Sequence, residues 1–120
     1  MSNPSQPLNR YFYRDEFACQ CGCGYATVDI ELLQVLTDLR EAFDKPVTIN
    51  SGCRCESHNA AIGGSPNSKH KQGIAADIVV ADTAPNTVYD YLNAQYPDTY
   101  GISQYKRFTH VDVRHPPARW

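Results

Sequence analysis

The sequence contains no apolar run of about 18–20 residues, so it offers no transmembrane helix. Its first residues, "MSNPSQPLNRYFYRDEF", lack the apolar centre of a signal peptide. The expectation is a chain made in the cytosol that, if it acts outside, leaves by another route. Charge of one sign is also missing: 11 Lys and Arg stand against 13 Asp and Glu, for a net charge of −2. No basic field exists to attract nucleic acid or an anionic membrane. Internal repeats and low-complexity tracts are absent as well. What remains is 120 residues, the size of one domain and long enough to bury a core without disulfides. Residues 1–10 are polar with two prolines and read as a flexible arm; residues 11–120 read as a single domain.

Cysteine is the residue in excess. Five cysteines form two groups, Cys19, Cys21 and Cys23 in "ACQCGCG" and Cys53 and Cys55 in "GCRC". Cytosolic synthesis argues for reduced thiols. The C-x-C spacing is tighter than the C-x₂-C of common zinc ribbons. Packed thiols, or a disulfide between the groups, are preferred here over a second, structural metal. No cysteine lies in the histidine-bearing motifs, which argues against a thiol nucleophile.

Periodicity places the elements. Residues 29–43, "DIELLQVLTDLREAF", form the clearest helix, with Ile30, Leu33, Leu36, Leu39 and Phe43 on one stripe and Thr27 or Asp29 as cap. "KPVTIN" is a short strand with Pro46 at its edge, and residues 56–61 a short helix. Residues 74–80 are a strand. "TAPNTVYDYLNAQY" fits a second amphipathic helix with Val88, Tyr91 and Leu92 inward, and "YGISQY" and "FTHVDVR" read as two strands of a hairpin. The mixture lacks a regular β-α-β rhythm. It points to an α+β fold, a small and largely antiparallel sheet with helices packed on it.

"SKHKQGIAADIVV", residues 68–80, poses the chemical question. In an extended segment Ile74, Ala76, Ile78 and Val80 share one side, and Asp77 lies on the other among small and apolar residues. A buried carboxylate without a partner costs several kcal/mol or becomes neutral. "FTHVDVR" supplies partners. Val111 and Val113 alternate with His110 and Asp112, so His110 approaches Asp77 if the two strands are neighbours. His70 ends the loop leading into the Asp77 strand. Two imidazoles and one carboxylate match a catalytic zinc site with water in the fourth position. From spacing alone a second reading stays open: satisfied polar residues, with Asp77 accepting from loop N–H groups.

"SKHKQGIAAD" matches an S-x-H-x-x-G-x-A-x-D motif, and "HVDVR" supplies a downstream H-x-D. With "INSGCRCESHNAAIGGSPNS", these stretches resemble the zinc D-alanyl-D-alanine carboxypeptidase/endopeptidase family of peptidoglycan peptidases. That family is related to the lysostaphin-type peptidases and the hedgehog domain. The resemblance runs from about residue 12 to Trp120, and its single-domain form is similar to compact bacteriophage and prophage members, endolysins included. It implies one zinc ion held by His70, Asp77 and His110, a peptidoglycan stem peptide as substrate, and substrate-facing roles for Arg54 and Ser68. It implies neither a nucleic-acid partner nor membrane insertion, and a monomeric chain is expected. Without the resemblance Arg54 reads as a surface ion pair. Ser68 donates to substrate or caps the turn before His70.

One departure stands out. Many relatives carry a Glu or His two or three residues before the last zinc ligand as general base; here those positions are Arg107 and Phe108. Asp112 is the nearest carboxylate in sequence and the candidate for the catalytic role, although the reading that it orients a ligand histidine is the preferred one. His115 and Asp82 are looser candidates. His58 in "ESHNAA" reads as local support, Gly63 and Gly64 as a tight turn, and Trp120 as core or cleft lining. Two further functions compete with hydrolysis: an inactive zinc-binding wall module, and a cysteine-centred metal or redox module.

Overall fold

A computed structural model describes residues 6–120. Its helices are α1 (Ile30–Phe43), α2 (Glu56–Ala61) and α3 (Pro85–Gln95), and its strands β1 (Val47–Ser51), β2 (Ala75–Val80), β3 (Gly101–Gln104), β4 (Thr109–Asp112) and β5 (Ala118–Arg119). The strands form one sheet in the order β1-β2-β4-β3-β5, antiparallel throughout except for the parallel β3–β5 pair. The architecture is α+β, as the element pattern predicts. Among the described residues, no helix is long and apolar enough to cross a membrane.

The alternation along the strands splits the sheet into two unlike faces. Ala76, Val111 and Ile102 lie side by side across β2, β4 and β3. With Ile78 and Val80 they meet α1 and α3, and all are buried. Asp77, His110 and Ser103 form the next lateral row and point the other way. The apolar face anchors the sheet so that the polar row can be held rigidly on the reverse.

Asp29 caps α1 by accepting from the Glu31 amide at 2.8 Å, and Asp44 ends it in a left-handed conformation at φ 52°. The helix buries Leu32, Val35, Leu36 and Leu39. Each such side chain contributes about 1.5–3 kcal/mol through burial. The expected stripe is therefore rotated: Leu36 and Leu39 face the core, but Ile30 is 74% exposed and Leu32 and Val35 take the inward positions. Pro85 opens α3, where its missing N–H costs nothing, and Thr109 Oγ1 on β4 donates to its carbonyl at 3.0 Å. Val88 and Leu92 are fully buried, while Tyr91 stays partly exposed and donates to Asp38 at 2.7 Å.

Residues 11–27 are irregular but packed, with one 3₁₀ turn (Arg14–Phe17), and Phe12 and Phe17 reach the core. Of the arm expected over residues 1–10, residues 1–5 lie outside the described residues. Gln6 accepts from Arg14, Leu8 donates to Phe12, and Asn9 donates to Thr37 on α1.

Strand β5 is an addition to the predicted elements. Two residues long, it is held by the Arg119 guanidinium, which donates to the carbonyls of Tyr96, Thr99 and Tyr100. That clamp brings Trp120 over the polar face.

Candidate metal centre

Asp77 and His110 are paired in register across β2 and β4, with 2.9 Å between Asp77 Oδ1 and His110 Nδ1. His70 comes from a 3₁₀ turn (Lys69–Gln72) that precedes β2, and its Nε2 lies 3.3 Å from the same oxygen. The turn is set by its ends. Ser68 Oγ accepts from the His70 amide at 3.2 Å, and Gly73 closes it at φ 71°, a conformation that side-chain-bearing residues adopt only under strain. Ser68 therefore caps the turn while also lining the cleft.

A hydrogen bond fixes which nitrogen of His70 carries the proton. His70 Nδ1 faces the Gly52 carbonyl at 2.7 Å, and a carbonyl only accepts. Nδ1 is thus the donor, leaving the Nε2 lone pair toward Asp77. His110 stands between two carboxylates, Nε2 at 2.8 Å from Asp112 Oδ2 and Nδ1 at 2.9 Å from Asp77 Oδ1; with its proton on Nε2, held by Asp112, its Nδ1 lone pair faces the same point. Two lone pairs and a carboxylate oxygen then converge, an arrangement that requires a cation or added protons between them. The three ligating atoms lie within 4.8 Å of one another. A single metal ion fits this set, and two imidazoles with one carboxylate suit zinc.

Electrostatics point the same way. Burial pushes Asp77 up, but hydrogen bonds from His110 and His70 and their charge outweigh it and hold the carboxyl far below the usual range. Burial lowers His110, yet its bonds to Asp112 and Asp77 raise it overall. The pocket favours an ionised carboxylate beside positive charge.

Asp112 lies behind the histidine, not in the cleft. It is fully buried; Oδ2 accepts from His110 and from Arg114 at 2.7 Å, and Oδ1 accepts from the Arg114 Nε at 2.8 Å and amide at 3.1 Å. With every lone-pair direction engaged, it orients His110 and has no route to a water in the cleft. Of the two readings of Asp112, this geometry favours the one that orients His110 over the catalytic one.

Arg54 stands beside the centre. Its guanidinium is 3.6 Å from Asp77 Oδ2 and donates to Ser51 Oγ at 3.3 Å and Asn59 Oδ1 at 3.1 Å. These contacts pre-set the side chain and make it more than a surface ion pair. Arg54, Ser68, His70, Asp77 and His110 line one cleft of about 530 Å³. Tyr105, Phe108 and Trp120 form its aromatic wall, with the Trp120 ring 5.2 Å from His110 and under the Arg114 guanidinium.

A sequence model of the family described as Peptidase M15 matches residues 10–112. The chain belongs to the peptidase M15 family. Over 35 residues it is 49% identical to the zinc D-Ala-D-Ala carboxypeptidase of Streptomyces albus G. That match spans 29% of this chain and 14% of the relative.

Other candidates in this M15 chain lie elsewhere. His115 sits 3.8 Å from Glu31 on the helix side, and Asp82 occupies a turn after β2 at φ 55°. Neither they nor His58 line the cleft. Arg114 escaped the sequence reading, although its place in "HVDVR", two residues after Asp112, puts it on the same strand face. Gly52 escaped it too. Its carbonyl holds His70, and a Cβ there would stand 2.6 Å from the Phe17 backbone.

The five cysteines are all free: of the two preferred readings, packed thiols or a disulfide between the groups, the disulfide is not present. Cys53 is a packed thiol, buried and donating to the Tyr25 carbonyl at 3.0 Å. Cys19, Cys21, Cys23 and Cys55 gather instead around one point, their sulfurs within 4.8 Å of one another.

Proposed function

We propose that this chain is a zinc-dependent peptidase that hydrolyses peptidoglycan stem peptides, as a D,D-carboxypeptidase or an endopeptidase. The observation that carries the reading is the convergence of His70, Asp77 and His110 at a cleft into which a pre-set Arg54 also faces. The substrate class rests on the named relative, a zinc D-Ala-D-Ala carboxypeptidase, and on the charge of the cleft. Arg54 and Lys69 line it against one carboxylate, Asp77, while Arg114 is paired with the buried Asp112; the positive excess suits a peptide bearing free carboxylates.

Zinc held by His70, Asp77 and His110 supplies acidification of a water and polarisation of a scissile carbonyl. The chain supplies the rest. Asp112, neutralised by Arg114, keeps the proton on His110 Nε2 and so aims Nδ1 at the centre. The Gly52 carbonyl does the same for His70. Arg54 offers N–H groups to a terminal carboxylate or to the oxygen that gains charge as the carbonyl is attacked. The aromatic wall and the Ser68–Lys69 rim border the substrate on either side. A lytic role of endolysin type belongs to the same proposal.

Mass spectrometry of digested muropeptides tests it. Release of D-Ala identifies a carboxypeptidase, and cleaved cross-links or L-Ala–D-Glu bonds an endopeptidase. A zinc-loaded protein that cuts no muropeptide overturns the reading. One observation favours a second reading, a non-catalytic zinc-binding module: among the described cleft-lining residues, no carboxylate or imidazole stands beyond the three ligands. Full zinc occupancy with binding to cell walls but no cleavage would establish it.

A further inference from the structure

The second cluster of metal-type donors shares no residue with the first. Cys19 Sγ lies 3.5 Å from Cys21 Sγ and 3.8 Å from Cys55 Sγ, and Cys21 and Cys55 sulfurs are 3.6 Å apart. Disulfide sulfurs would be about 2.0 Å apart. Four sulfurs bound at about 2.3 Å to one tetrahedral ion lie about 3.8 Å from one another. Cys23 completes the group within the 4.8 Å limit. Such short separations leave room for one ion at the centre and not for a multi-iron cluster, whose cysteines stand farther apart.

We propose that Cys19, Cys21, Cys23 and Cys55 hold a second, structural zinc ion. The local backbone is shaped for it. Gly22 and Gly24, alternating with the cysteines in "CQCGCG", have φ of 84° and 92°, so the loop folds back on itself and turns successive sulfurs inward. The Gly22 amide donates to the Cys19 carbonyl at 3.2 Å, closing the turn. Backbone N–H groups also serve the sulfurs: the Cys55 amide donates to Cys19 Sγ and the His58 amide to Cys55 Sγ, each at 3.4 Å. Amides aimed at sulfur stabilise thiolates, the form in which cysteine binds metal. Binding one Zn²⁺ releases four thiol protons to solvent and leaves a tetrathiolate centre with no open position.

The ion would join two distant segments. Cys19–Cys23 lie in the irregular stretch before α1; Cys55 is the N-cap of α2 and follows Arg54 directly. A zinc here fixes the loop that presents Arg54 to the cleft, without touching substrate itself.

The test is metal analysis of the full chain in three forms, each loaded with zinc. Two equivalents are expected in the wild type. One is expected in His70→Ala/His110→Ala and one in Cys21→Ser/Cys23→Ser, the latter with a lowered melting temperature. In the histidine variant, a mercurial that titrates thiols should release the remaining zinc as four thiols react, with Cys53 reacting only on unfolding. Should the serine variant fail to fold, cobalt substitution of the histidine variant replaces it: intense visible bands of a tetrahedral tetrathiolate are expected. A single equivalent that vanishes with the histidines, with four thiols freely reactive, overturns the proposal. So does iron in place of zinc, or a disulfide revealed by thiol counting.

Discussion

Asp77 Oδ1 and His110 Nδ1 face each other at 2.9 Å across a regular antiparallel pair, and the far nitrogen of His110 faces Asp112 at 2.8 Å. A β-ladder is a stiff way to hold two ligands, because neither residue can shift without breaking pairing on both sides. The contact is an acid–base pair while a proton lies between them and a metal site once a cation replaces it. The expectations below follow from this exchange.

Removal of either imidazole should empty the centre. His70→Ala and His110→Ala are each expected to lose the triad zinc and to lower peptidase activity by at least about a hundredfold. Metal analysis alongside muropeptide digestion checks this. Retention of both equivalents in either variant would contradict it.

Asp112→Asn separates positioning from catalysis. The amide still fills the space but weakens the grip on His110, so zinc affinity should fall by about 10- to 100-fold. Chelator competition measures that. At saturating zinc the variant should recover most of its activity, whereas loss of a general base would persist with the metal bound.

Arg54→Ala should leave triad zinc in place and reduce turnover by about 10²–10³-fold, the usual effect of deleting a donor to developing charge. Arg54→Lys is expected to rescue only in part, since an ammonium cannot replace the forked contacts with Ser51 and Asn59. Steady-state kinetics with metal content measured in parallel gives the answer.

The metal-free centre should carry its own pH dependence. His110 is raised in the folded state, so its contribution is fully present below the unfolded value of about 6.5 and is lost as pH rises through the folded value. Asp77 and Asp112 are depressed; their contribution is present above about 3.9 and is lost as pH falls through their folded values. Melting of triad-emptied protein should therefore weaken as pH rises above about 6.5, and His110→Gln should flatten that limb. An unchanged limb would show that His110 is not the group responsible.

Gly52→Ala is expected to destabilise strongly, by about 1–3 kcal/mol or more, because overpacking here presses on backbone rather than on a movable side chain. Thermal unfolding reads the effect. The displaced carbonyl should also loosen His70, so zinc affinity should fall along with the melting temperature.

Much of this was legible in the sequence. Strand alternation alone places Asp77 opposite the core, and His110 and Asp112 together on one face, as the structure has them. Helix α1 shows the limit: its apolar residues satisfy two 3/4-spaced stripes, and only packing against β1 and β2 selects the one containing Leu32 and Val35 over Ile30. Strand β5 leaves no periodic trace, since its two residues are held by the Arg119 side chain reaching distant carbonyls. The two cysteine groups are visible in the sequence, but not which sulfurs meet. C-x-C spacing resembles no common ribbon, and Cys55 joins the other three only when the chain brings residue 55 back over residue 19.

Residues Gly52–Cys55 are a matter of phase. Four consecutive positions meet four different obligations: a carbonyl for His70, a thiol sunk in the interior, a guanidinium in the cleft, a sulfur in the second cluster. Their amides alternate as well, Cys53 donating to Phe17 and Arg54 to His70, each at 2.9 Å. Single substitutions remove one obligation at a time. Inserting or deleting one residue would exchange all of them at once, sending Arg54 toward the thiols and a cysteine toward the cleft. The length of this stretch is thus more tightly constrained than the identity of any residue within it.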